Sequence, residues 1–369
     1  MKRIVCFHLL NDFSGSPIVL RTVLEGLLQK GYRVDLVTSD GGVLDELEGI
    51  AGFKKHSCPY RFSPHPAVTM ARYAWAQLYT FFLALRWTFS SCSFYINTLL
   101  PVGPALAGRL TGKRVVYHYH ENASVKGAFY QTLAWLMLRL AHRIVCVSEH
   151  QASSLTDRSK VKVIPNAPPK AFIESIKPHA ERAFRNKNVL MLASLKAYKG
   201  TKEFIELSAT MPEYKFTLVL NDTTKHIGEY ITANNLTDLI GDNLTIYPRQ
   251  NDVAPFYNRA SLLLNLSDKR KVIETFGMTV LEAMSTALPV IVPTVGGVAE
   301  MVDDGVNGYK IDVSETGCIE RRIRELLSDK DKYTDMSRHA LKRARRFDAA
   351  HMTERISQLF QSANNKTRL

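Results

Sequence analysis

Cysteine is scarce in this chain of 369 residues, and its spacing predicts no cross-link and no metal site. No C-x-x-C pair and no histidine cluster accompanies the five cysteines, which are Cys6, Cys58, Cys92, Cys146 and Cys318. A disulfide framework and a zinc site are therefore not predicted. The chain opens with MKRIVCF and enters a strand-like run directly, without the apolar stretch and cleavage site of a secretory signal. We expect a cytoplasmic protein.

Several longer signatures are also missing. No apolar run reaches the roughly 20 residues that a membrane-spanning helix needs. The dinucleotide fingerprint G-x-G-x-x-G and the nucleophile elbow G-x-S-x-G are absent. The D-x-D match at Asp329 and Asp331 falls in SDKDKYTD, a charged run typical of a surface turn. We therefore predict no metal and no organic cofactor.

Acidic residues are under-represented in the first half of the chain. Of the net charge of +13, the part up to Phe172 carries 20 Lys and Arg against 10 Asp and Glu, and the remainder 28 against 25. Such a basic half can face nucleic acid, anionic lipid or an acidic substrate. No nucleic-acid module is recognisable and no aromatic platform is interleaved with the charge, so nucleic acid is not an expected partner.

The segment Arg72–Trp87, RYAWAQLYTFFLALRW, is the most apolar part of the basic half. It is too short to cross a bilayer. Arginines flank it on both sides, which favours a helix lying in a membrane interface. The alternative is a helix buried in the domain core with its two arginines exposed. The sequence leaves both interpretations open.

What the sequence does contain is a regular alternation of β-branched runs and helical patterns. The strand-like runs are RIVCF, RVDLVTS, RVVYHYH, RIVCVS, VLMLAS, KFTLVLN, SLLLNLS and PVIVP. This alternation is typical of α/β proteins with parallel sheets. A polar stretch interrupts the rhythm, so we predict a Rossmann-like domain over 1–172, a linker over 173–187 and a second Rossmann-like domain over 188–349. Two such domains would leave a ligand cleft between the carboxyl ends of their strands.

The stretch ETFGMTVLEAM places Glu274 and Glu282 on either side of a helix entrance. The apolar spacing after Met278 predicts a helix, and Gly277 is expected at its start. The free N–H groups of Phe276, Gly277 and Met278 and the helix dipole would attract an anion. A carboxylate at each end could bind hydroxyl groups, and the N–H groups between them could bind a phosphate. This order suits a nucleotide sugar. Taken alone, however, such a glutamate pair is most often an ordinary solvated pair on a helix.

The run from Glu274 through PVIVPTVGG to Gly305 and Gly308 resembles the core signature of family 4 glycosyltransferases, including its E-x7-E element. LKAYKG is similar to the Lys-Gly motif of that family, VIPNAP to its IPNG, and RIVCVSEH to the strand before it. The resemblance implies a GT-B fold, in which two Rossmann-like domains face each other across a deep cleft. It also implies that a C-terminal helix, at 350–365, crosses back to complete the first domain.

The resemblance assigns roles to individual residues of the second domain. It implies that Glu282 binds the ribose hydroxyls and that Glu274 lies beside the donor sugar. The backbone of Phe276–Met278 would contact sugar and diphosphate. Lys199 would neutralise the departing diphosphate, since charge develops there as the bond breaks.

One position departs from the family pattern, because Ser194 stands where an arginine is usual, five residues before Lys199. We expect Lys196, or a member of the group Lys269, Arg270 and Lys271, to replace it in part. A lysine cannot reproduce the bidentate fork of an arginine.

In the first domain, Gly15 and Ser16 lie in the turn after the first strand. Their turn resembles the short glycine loop of the family, which faces the diphosphate from across the cleft. His118 and His120 alternate along one strand and should project from the same face. The resemblance aligns His120 with a histidine near the reacting sugar, while His118 remains a competitor. Metal binding by the pair lacks a third ligand.

Together these features predict a retaining, metal-independent glycosyltransferase that uses a nucleotide-diphosphate sugar. The expected acceptor is a lipid-linked saccharide of bacterial O-antigen, capsule or exopolysaccharide assembly, reached by peripheral contact with the inner face of the cytoplasmic membrane. Two alternatives stay open: a catalytically silent GT-B subunit, which the serine at 194 would suit, and a GT-B sugar-nucleotide epimerase. The donor, the linkage and the oligomeric state are not fixed by any motif.

Overall fold

The computed structural model of the protein describes residues 2–123 and 125–361. The chain divides into two compact units. The first is formed by Met1–Pro169 with Asp348–Leu369, and the second by Lys170–Phe347. Each unit is built on one parallel β-sheet with helical connections. The predicted pair of Rossmann-like domains is confirmed.

The sheet of the first unit has seven parallel strands. In chain order they are β1 (Arg3–Phe7), β2 (Arg33–Thr38), β3 (Phe53–Ser57), β4 (Cys92–Asn97), β5 (Arg114–Tyr119), β6 (Arg143–Cys146) and β7 (Val161–Val163). Their order in the sheet is β3-β2-β1-β4-β5-β6-β7. In the register of the central strand, Val5 lies opposite Asp35 on one side and Phe94 on the other. The strand order reverses between β1 and β4, which is where ligands bind in open sheets of this kind.

The helices that follow these strands in the first unit are α1 (Gly15–Gln29), α2 (Pro66–Ala84), α3 (Val102–Leu110), α4 (Ala128–Leu140) and α5 (Glu149–Ser153). Short 3₁₀ turns cover Val43–Leu47 and Leu85–Trp87. The core is large and aromatic: Phe7 packs edge-on against Phe94 at 5.2 Å and against Trp87 at 6.3 Å between ring centroids. The inner side of α2 closes this core through Ala76, Leu83 and neighbouring residues.

The sheet of the second unit has six parallel strands, β8 (Asn188–Ala193), β9 (Lys215–Leu220), β10 (Leu244–Tyr247), β11 (Leu262–Leu264), β12 (Val290–Val292) and β13 (Gly308–Lys310). They are arranged as β10-β9-β8-β11-β12-β13, so the order reverses between β8 and β11. The helices of this unit are α6 (Lys170–Ser175), α7 (Ala180–Asn186), α8 (Thr201–Thr210), α9 (Thr224–Ala233), α10 (Ala254–Arg259), α11 (Met278–Ser285), α12 (Gly297–Glu300), α13 (Thr316–Ser328) and α14 (Lys330–Ala344).

The segment 173–187, for which the sequence predicts a linker, is folded into the second unit. Its aromatic side chains account for this placement. The ring of Phe172 lies edge-on to Tyr257 with centroids 5.5 Å apart, and Phe184 lies 5.3 Å from Tyr333. The polar composition of the segment therefore describes the outer sides of α6 and α7 and not a free connection.

The last helix, α15 (Ala349–Leu359), belongs to the first unit and packs against α1. Arg114 Nε on β5 donates to the carbonyl oxygen of Leu359 at 2.6 Å, and Arg355 donates to the carbonyl oxygen of Val163 at 2.7 Å. A helix was predicted over 350–365. Residues 362–365 of that prediction lie outside the described residues.

Helix α2 fits neither of the two interpretations of the apolar segment completely. Its inner face is buried, but Trp75 is 59% and Phe82 64% exposed, so the helix is not enclosed in the core. Within residues 2–123 and 125–361, no helix is both long and apolar enough to cross a membrane.

Candidate active site

In the second unit, the candidate residues gather where the strand order reverses. The loop after β8 carries Lys199 in a 3₁₀ turn, Ala197–Lys199, just before α8 begins. The loop after β11 carries Ser267 and Glu274, and α11 follows it. Neighbouring parallel strands end at the same edge of a sheet, so two segments that are far apart in sequence deliver their side chains to one place.

Lys199 and Glu274 are in direct contact. The Lys199 ammonium forms an ion pair with Oε1 of Glu274, and the Ser267 hydroxyl donates to the same oxygen at 2.7 Å. Burial by itself raises the pKa of Glu274, but the charge and hydrogen bond of Lys199 and the hydroxyl of Ser267 outweigh it and hold the pKa below the usual value. Glu274 is therefore ionised, and the pair is mostly shielded from solvent, with 23% of the Lys199 side chain and 17% of the Glu274 side chain exposed.

The turn that carries Glu274 is shaped by close approach of the chain at Gly296. At φ +99°, this residue has a conformation that favours glycine, and a Cβ there would lie 2.6 Å from the Glu274 carbonyl oxygen. The next residue, Gly297, donates its N–H to that carbonyl at 2.8 Å. The segment after β12 thus holds the backbone of Glu274 from behind.

Helix α11 begins at Met278 with Gly277 at its N-cap, as the sequence predicts, and Gly277 makes no side-chain cap. The ring of Phe276 is buried and lies 5.9 Å from that of Phe347, so Phe276 can offer a ligand only its backbone. The first N–H groups of a helix have no intrahelical acceptor. The entrance of α11 thus has the donors that an anion requires.

Glu282 lies one helical turn further along, where α11 meets α10. The hydroxyl of Tyr257 donates to Oε2 of Glu282 at 2.6 Å. Burial raises the pKa of Glu282 to about 7, and the hydrogen bond from Tyr257 opposes that shift without cancelling it. At neutral pH the carboxyl group is consequently divided between its neutral and ionised forms.

The cations proposed to replace the missing arginine at Ser194 differ in their surroundings. Lys269 pairs with Asp312 at 2.9 Å, and both Arg270 and Lys271 lie beside Asp268 at 2.9 and 3.6 Å. Lys196 is exposed at the end of β8, and within residues 2–123 and 125–361 no carboxylate lies within 4.0 Å of its ammonium. Of the four, Lys196 has its charge least compensated.

In the first unit, Gly15 and Ser16 are the first two residues of α1. The helix starts after an Asx turn, in which Asp12 accepts hydrogen bonds from the N–H of Ser14 at 2.9 Å and from its hydroxyl at 2.5 Å. Gly15 is exposed, and a Cβ placed on it would meet no atom within 4 Å. The fold of this chain therefore gives no steric reason for a glycine at this position.

His118 and His120 lie on the same side of β5 with ring centroids 4.1 Å apart. His118 is fully buried, its Nδ1 is hydrogen-bonded to the hydroxyl of Tyr95 at 2.6 Å, and burial lowers its pKa to about 3. His120 lies one residue past the strand and is partly exposed. Of the two histidines, only His120 is not fully buried.

The tautomer of His120 is set by Asn97 at the end of β4. The Asn97 side-chain oxygen accepts from Nε2 of His120 at 3.0 Å, and its amide group donates to Nδ1 of His8 at 3.1 Å. Burial, followed by the neighbouring His118 and His8, holds the pKa of His120 well below its usual value. The ring is therefore neutral at pH 7.

Several of these contacts were not predicted from the sequence. Ser267, Tyr257, Asn97 and His8 each belong to no motif, and their partners lie 7 to 89 residues away. For Asn97 and His8 a usable signal existed, because each polar residue ends or follows a run of buried apolar residues in a central strand. For Tyr257 there was none.

In the described ranges, no three His, Cys, Asp or Glu side chains lie close enough together to hold a metal ion. Asp329 and Asp331, for which the sequence predicts a charged surface turn and no metal site, lie at a helix start, where Asp329 caps α14 by accepting from the N–H of Lys332 at 3.0 Å.

Comparison with family models matches both halves of the chain. Residues 173–343 match the model described as glycosyl transferases group 1, and residues 13–168 match the model described as glycosyltransferase family 4. The two matches together cover nearly the whole of both sheets.

Among curated proteins, N-acetyl-alpha-D-glucosaminyl L-malate synthase of Bacillus anthracis is 33% identical over 101 residues, which are 27% of this chain and 26% of that protein. EpsD of Bacillus subtilis, named provisionally as a glycosyltransferase, is 24% identical over 84% of this chain and 85% of its own length. The matches with the first three relatives span no more than about a quarter of those proteins.

Solved structures extend the likeness to the whole chain. HepE of Anabaena in complex with UDP and glucose superposes with a TM-score of 0.77 at 18% identity, covering 97% of this chain and 99% of that one. Sucrose-phosphate synthase of Thermosynechococcus elongatus gives 0.77 at 17% identity, covering 98% of each chain. The two parallel-sheet domains, their strand orders and these matches together show that this chain belongs to the family 4 glycosyltransferases of the GT-B fold.

Proposed function

We propose that the protein is a retaining glycosyltransferase that transfers a sugar from a nucleotide-diphosphate sugar to a saccharide acceptor. The observation that carries this proposal is the arrangement in the second unit, where Lys199 and Ser267 hold Glu274 at one end of an open helix entrance and Glu282 lies on the same helix. A carboxylate, a set of N–H donors and a second carboxylate follow the order of sugar, diphosphate and ribose in such a donor.

The proposed reaction is a front-face displacement. The acceptor oxygen forms its bond to the anomeric carbon as the bond to the diphosphate oxygen breaks, and the hydroxyl proton passes to the leaving phosphate. No dedicated base is needed on this route. The protein contributes positioning and electrostatic stabilisation of the diphosphate. In the first unit, we propose that Gly15 and Ser16 approach a diphosphate with their backbone and that neutral His120 hydrogen-bonds a sugar hydroxyl.

Metal independence forms part of the proposal, because cationic side chains and N–H groups would take the role of a metal at the diphosphate. Lys199 is already paired with Glu274, so its charge is largely neutralised by that carboxylate. We propose that Lys196 supplies the additional positive charge, since its ammonium has no carboxylate within ion-pair distance among the described residues. Lys196→Met should therefore lower turnover more than Lys271→Met, whose charge Asp268 already offsets.

The proposed acceptor is a lipid-linked saccharide of bacterial surface polysaccharide assembly, met at the inner face of the cytoplasmic membrane. The excess of basic residues in the first unit supports contact with anionic lipid. UDP-sugars are the first donors to test, because HepE, a protein of the same fold, has been solved with UDP-glucose.

The experiment is release of nucleoside diphosphate from UDP-, GDP-, dTDP- and ADP-sugars, with and without a bacterial lipid extract, for the wild type, Glu282→Ala and Lys199→Ala. We expect lipid-stimulated release from one donor and a loss of at least 100-fold in both variants. Ile50→Ala, on an exposed residue of the first unit, is the control for handling and should keep donor binding and lipid-stimulated release. Release that persists in Glu282→Ala would contradict the proposal.

The second candidate is a catalytically silent binding subunit, which Ser194 favours because a cation of the family is missing there. If one donor binds to the wild type and none turns over, Ser194→Arg distinguishes the cases. Turnover gained in that variant would identify the serine as the cause of silence. The epimerase alternative predicts conversion of the donor itself without any acceptor, which product analysis by NMR detects.

A further inference from the structure

Exposed apolar side chains are concentrated on one part of the first unit. Among the described residues, thirteen of the eighteen exposed large hydrophobic side chains lie between Phe62 and Trp135. Single exposed hydrophobic residues are normal on protein surfaces, whereas a contiguous group indicates a binding surface.

The centre of this group is a stripe along the outer face of α2. It consists of residues spaced alternately by three and four positions, which places them on one side of a helix: Val68, Ala71, Trp75, Leu78, Phe82 and Leu85. Leu78 is 55% exposed, and Phe89, four residues after Leu85, is fully exposed. The opposite side of the same helix, with Ala76, Thr80 and Leu83, is buried in the core. Helix α2 is therefore apolar on both sides, although within residues 2–123 and 125–361 only its inner side is buried.

The neighbouring helices continue the stripe. Helix α3 packs against α2, since Gly103 Nα donates to the side-chain oxygen of Gln77 at 2.8 Å, and it exposes Leu106 and Leu110. At the start of α4, the ring of Phe129 lies 5.5 Å from that of Tyr73 on α2. We call the outer faces of α2 and α3, with the residues of the stripe, Phe89, Leu106 and Leu110, the α2 surface.

The segment of the chain that carries the α2 surface is strongly basic. Residues 49–148 contain eleven Lys and Arg and a single acidic residue, Glu121. Arg72 and Arg86 border the stripe and are exposed, and Arg109 lies between Leu106 and Leu110. Among the described residues, none of these three arginines has a carboxylate within 4.0 Å. The positive charges of this surface are consequently available to an external anion.

We propose that the α2 surface docks on an anionic lipid bilayer, with the stripe inserted in the interface and the arginines at the level of the lipid phosphates. An apolar stripe with Trp and Phe, flanked by basic residues, is what an interfacial helix requires. From Val68 to Leu85 the stripe is about 25 Å long at 1.5 Å per residue, so it would lie along the membrane plane. A second copy of this chain is a poorer occupant, because a two-fold contact would bring arginines of the same surface together without a compensating carboxylate.

Docking of the α2 surface on a bilayer would bring the protein to a lipid-linked acceptor. This inference rests on the proposed function only for the nature of that acceptor. A pocket of about 320 Å³ lies beside α2, and its lining includes Asp40, Tyr60, Arg61 and Tyr79. Tyr79 belongs to α2, and Arg72 donates to the carbonyl oxygen of Arg61 at 3.4 Å. The polar end of a lipid whose chains lie under the stripe would therefore meet hydroxyl, aromatic and guanidinium groups, together with the Asp40 carboxylate, which is already paired with Lys55 at 2.7 Å.

The test is flotation of the full chain with vesicles of phosphatidylcholine alone or with 30% phosphatidylglycerol, at about 0.1 and 0.5 M salt. We expect binding to the anionic vesicles that weakens with salt. The double variant Leu78→Gln, Phe82→Gln should bind at least tenfold more weakly, and Arg72→Gln with Arg86→Gln should lose about fivefold for each charge on anionic vesicles only. The matched control is Ile173→Gln with Val306→Gln, two similarly exposed apolar residues of the second unit, which should bind as the wild type does.

Equal flotation of wild type and Leu78→Gln, Phe82→Gln would overturn the proposal. So would a wild-type dimer in sedimentation that this variant converts to a monomer, because a second copy would then cover the surface. Nucleotide-sugar turnover without vesicles is measured in parallel. Vesicle binding without any turnover would remove the transferase function and leave the docking surface, whereas turnover without vesicle binding would remove only the docking surface. Thermal unfolding of each variant checks that the fold is intact.

Discussion

At the scale of single residues, the protonation of Glu282 connects stability with ligand binding. Its pKa is raised to about 7 by burial, above the usual value of about 4.3. For a carboxyl group the raised pKa means that folding favours the neutral form. The stabilising contribution is complete below about pH 4 and is lost as the pH rises through 7. Ionised Glu282, which would accept two hydroxyl groups, is therefore obtained at a cost in stability.

Replacement of this carboxyl group by an amide should make that relation measurable. We expect Glu282→Gln to raise the free energy of unfolding at pH 8 by roughly 1–2 kcal/mol and to have little effect near pH 4.5. Its binding of the donor should be lost at both pH values. Differential scanning calorimetry at the two pH values checks the first statement. Equal effects at both would show that the carboxyl group of Glu282 titrates normally.

The ion pair of Lys199 and Glu274 gives a second prediction. Lys199→Met leaves a desolvated carboxylate with only Ser267 as partner, which should destabilise the protein by roughly 2–4 kcal/mol at pH 8. Without the lysine, the pKa of Glu274 should rise, since burial is then opposed only by the hydroxyl. The destabilisation should consequently shrink toward pH 4.5.

The control for this pair is the double variant Lys199→Met, Glu274→Gln. It removes both charges and should recover most of the stability at pH 8, while remaining inactive. Urea unfolding of the two single variants and the double variant completes the cycle. Additive losses would mean that the two side chains act independently, contrary to the contact in the structure.

The sequence predicted the E-x7-E pair and Lys199, because these residues belong to contiguous motifs whose spacing is visible in one dimension. It did not predict Ser267 and Tyr257 as their partners, since each reaches its glutamate through a loop or a helix packing that no local pattern records. The competition between His118 and His120 could not be decided from alternation, because both lie on one strand face. The structure distinguishes them: His118 is buried against Tyr95, whereas His120 lies past the end of β5 and is partly exposed.

At the scale of elements, all eight strands that the sequence predicts are present, with differences of at most three residues at their ends. Five strands, β3, β4, β7, β10 and β13, were not among them. Strands β7, β10 and β13 have only three or four residues, and β3 and β4 carry polar residues. The sequence of β3 is FKKHS, an edge strand with lysines at its centre, which has neither alternation nor an apolar run. The linker was mispredicted because its polar composition suggests a free connection. In the structure, Phe172 and Phe184 anchor its two helices in the second unit.

Two glycines at helix entrances allow a prediction at this scale. Gly296→Ala places a methyl group 2.6 Å from the backbone oxygen of Glu274 at a positive φ, and it should destabilise the second unit by about 2–4 kcal/mol. Gly15→Ala meets no atom and has an ordinary φ, so the free energy of unfolding should stay equal or rise by up to about 1 kcal/mol.

The two variants should also differ in their affinity for the donor. Gly15→Ala, folded as the wild type, should bind donor at least tenfold more weakly, because the methyl group occupies the space that the diphosphate would approach. Thermal unfolding and a donor titration of each variant provide the measurements. If Gly15→Ala binds donor normally, the glycine at this helix start has no part in binding.

At the scale of the whole molecule, the chain is not divided into domains at a single point. The first unit is completed by α15, which returns after the entire second unit has been formed. The alternation of strand-like and helical patterns predicted the two sheets, and the family resemblance predicted the returning helix. Periodicity alone could not have done so, because an amphipathic helix does not indicate which of two cores it covers.

This return predicts the effect of removing α15. Truncation after Phe347 takes away the helix that buries Met352 and Ile356 and exposes the groups of β5 and α1 that it contacts. Two buried aliphatic side chains contribute about 1.5–3 kcal/mol each, so the first unit should lose roughly 3–6 kcal/mol and the second unit none. Hydrogen exchange should report the loss as faster exchange in β1 and β5, with unchanged protection in β8 and β11.

The control for the truncation is Lys30→Gln with Glu354→Gln, which removes only an exposed ion pair of 2.5 Å between α1 and α15 and should change stability by less than about 1 kcal/mol. If truncation accelerates exchange equally in both sheets, the two units unfold as one cooperative body and α15 stabilises more than the unit it packs on.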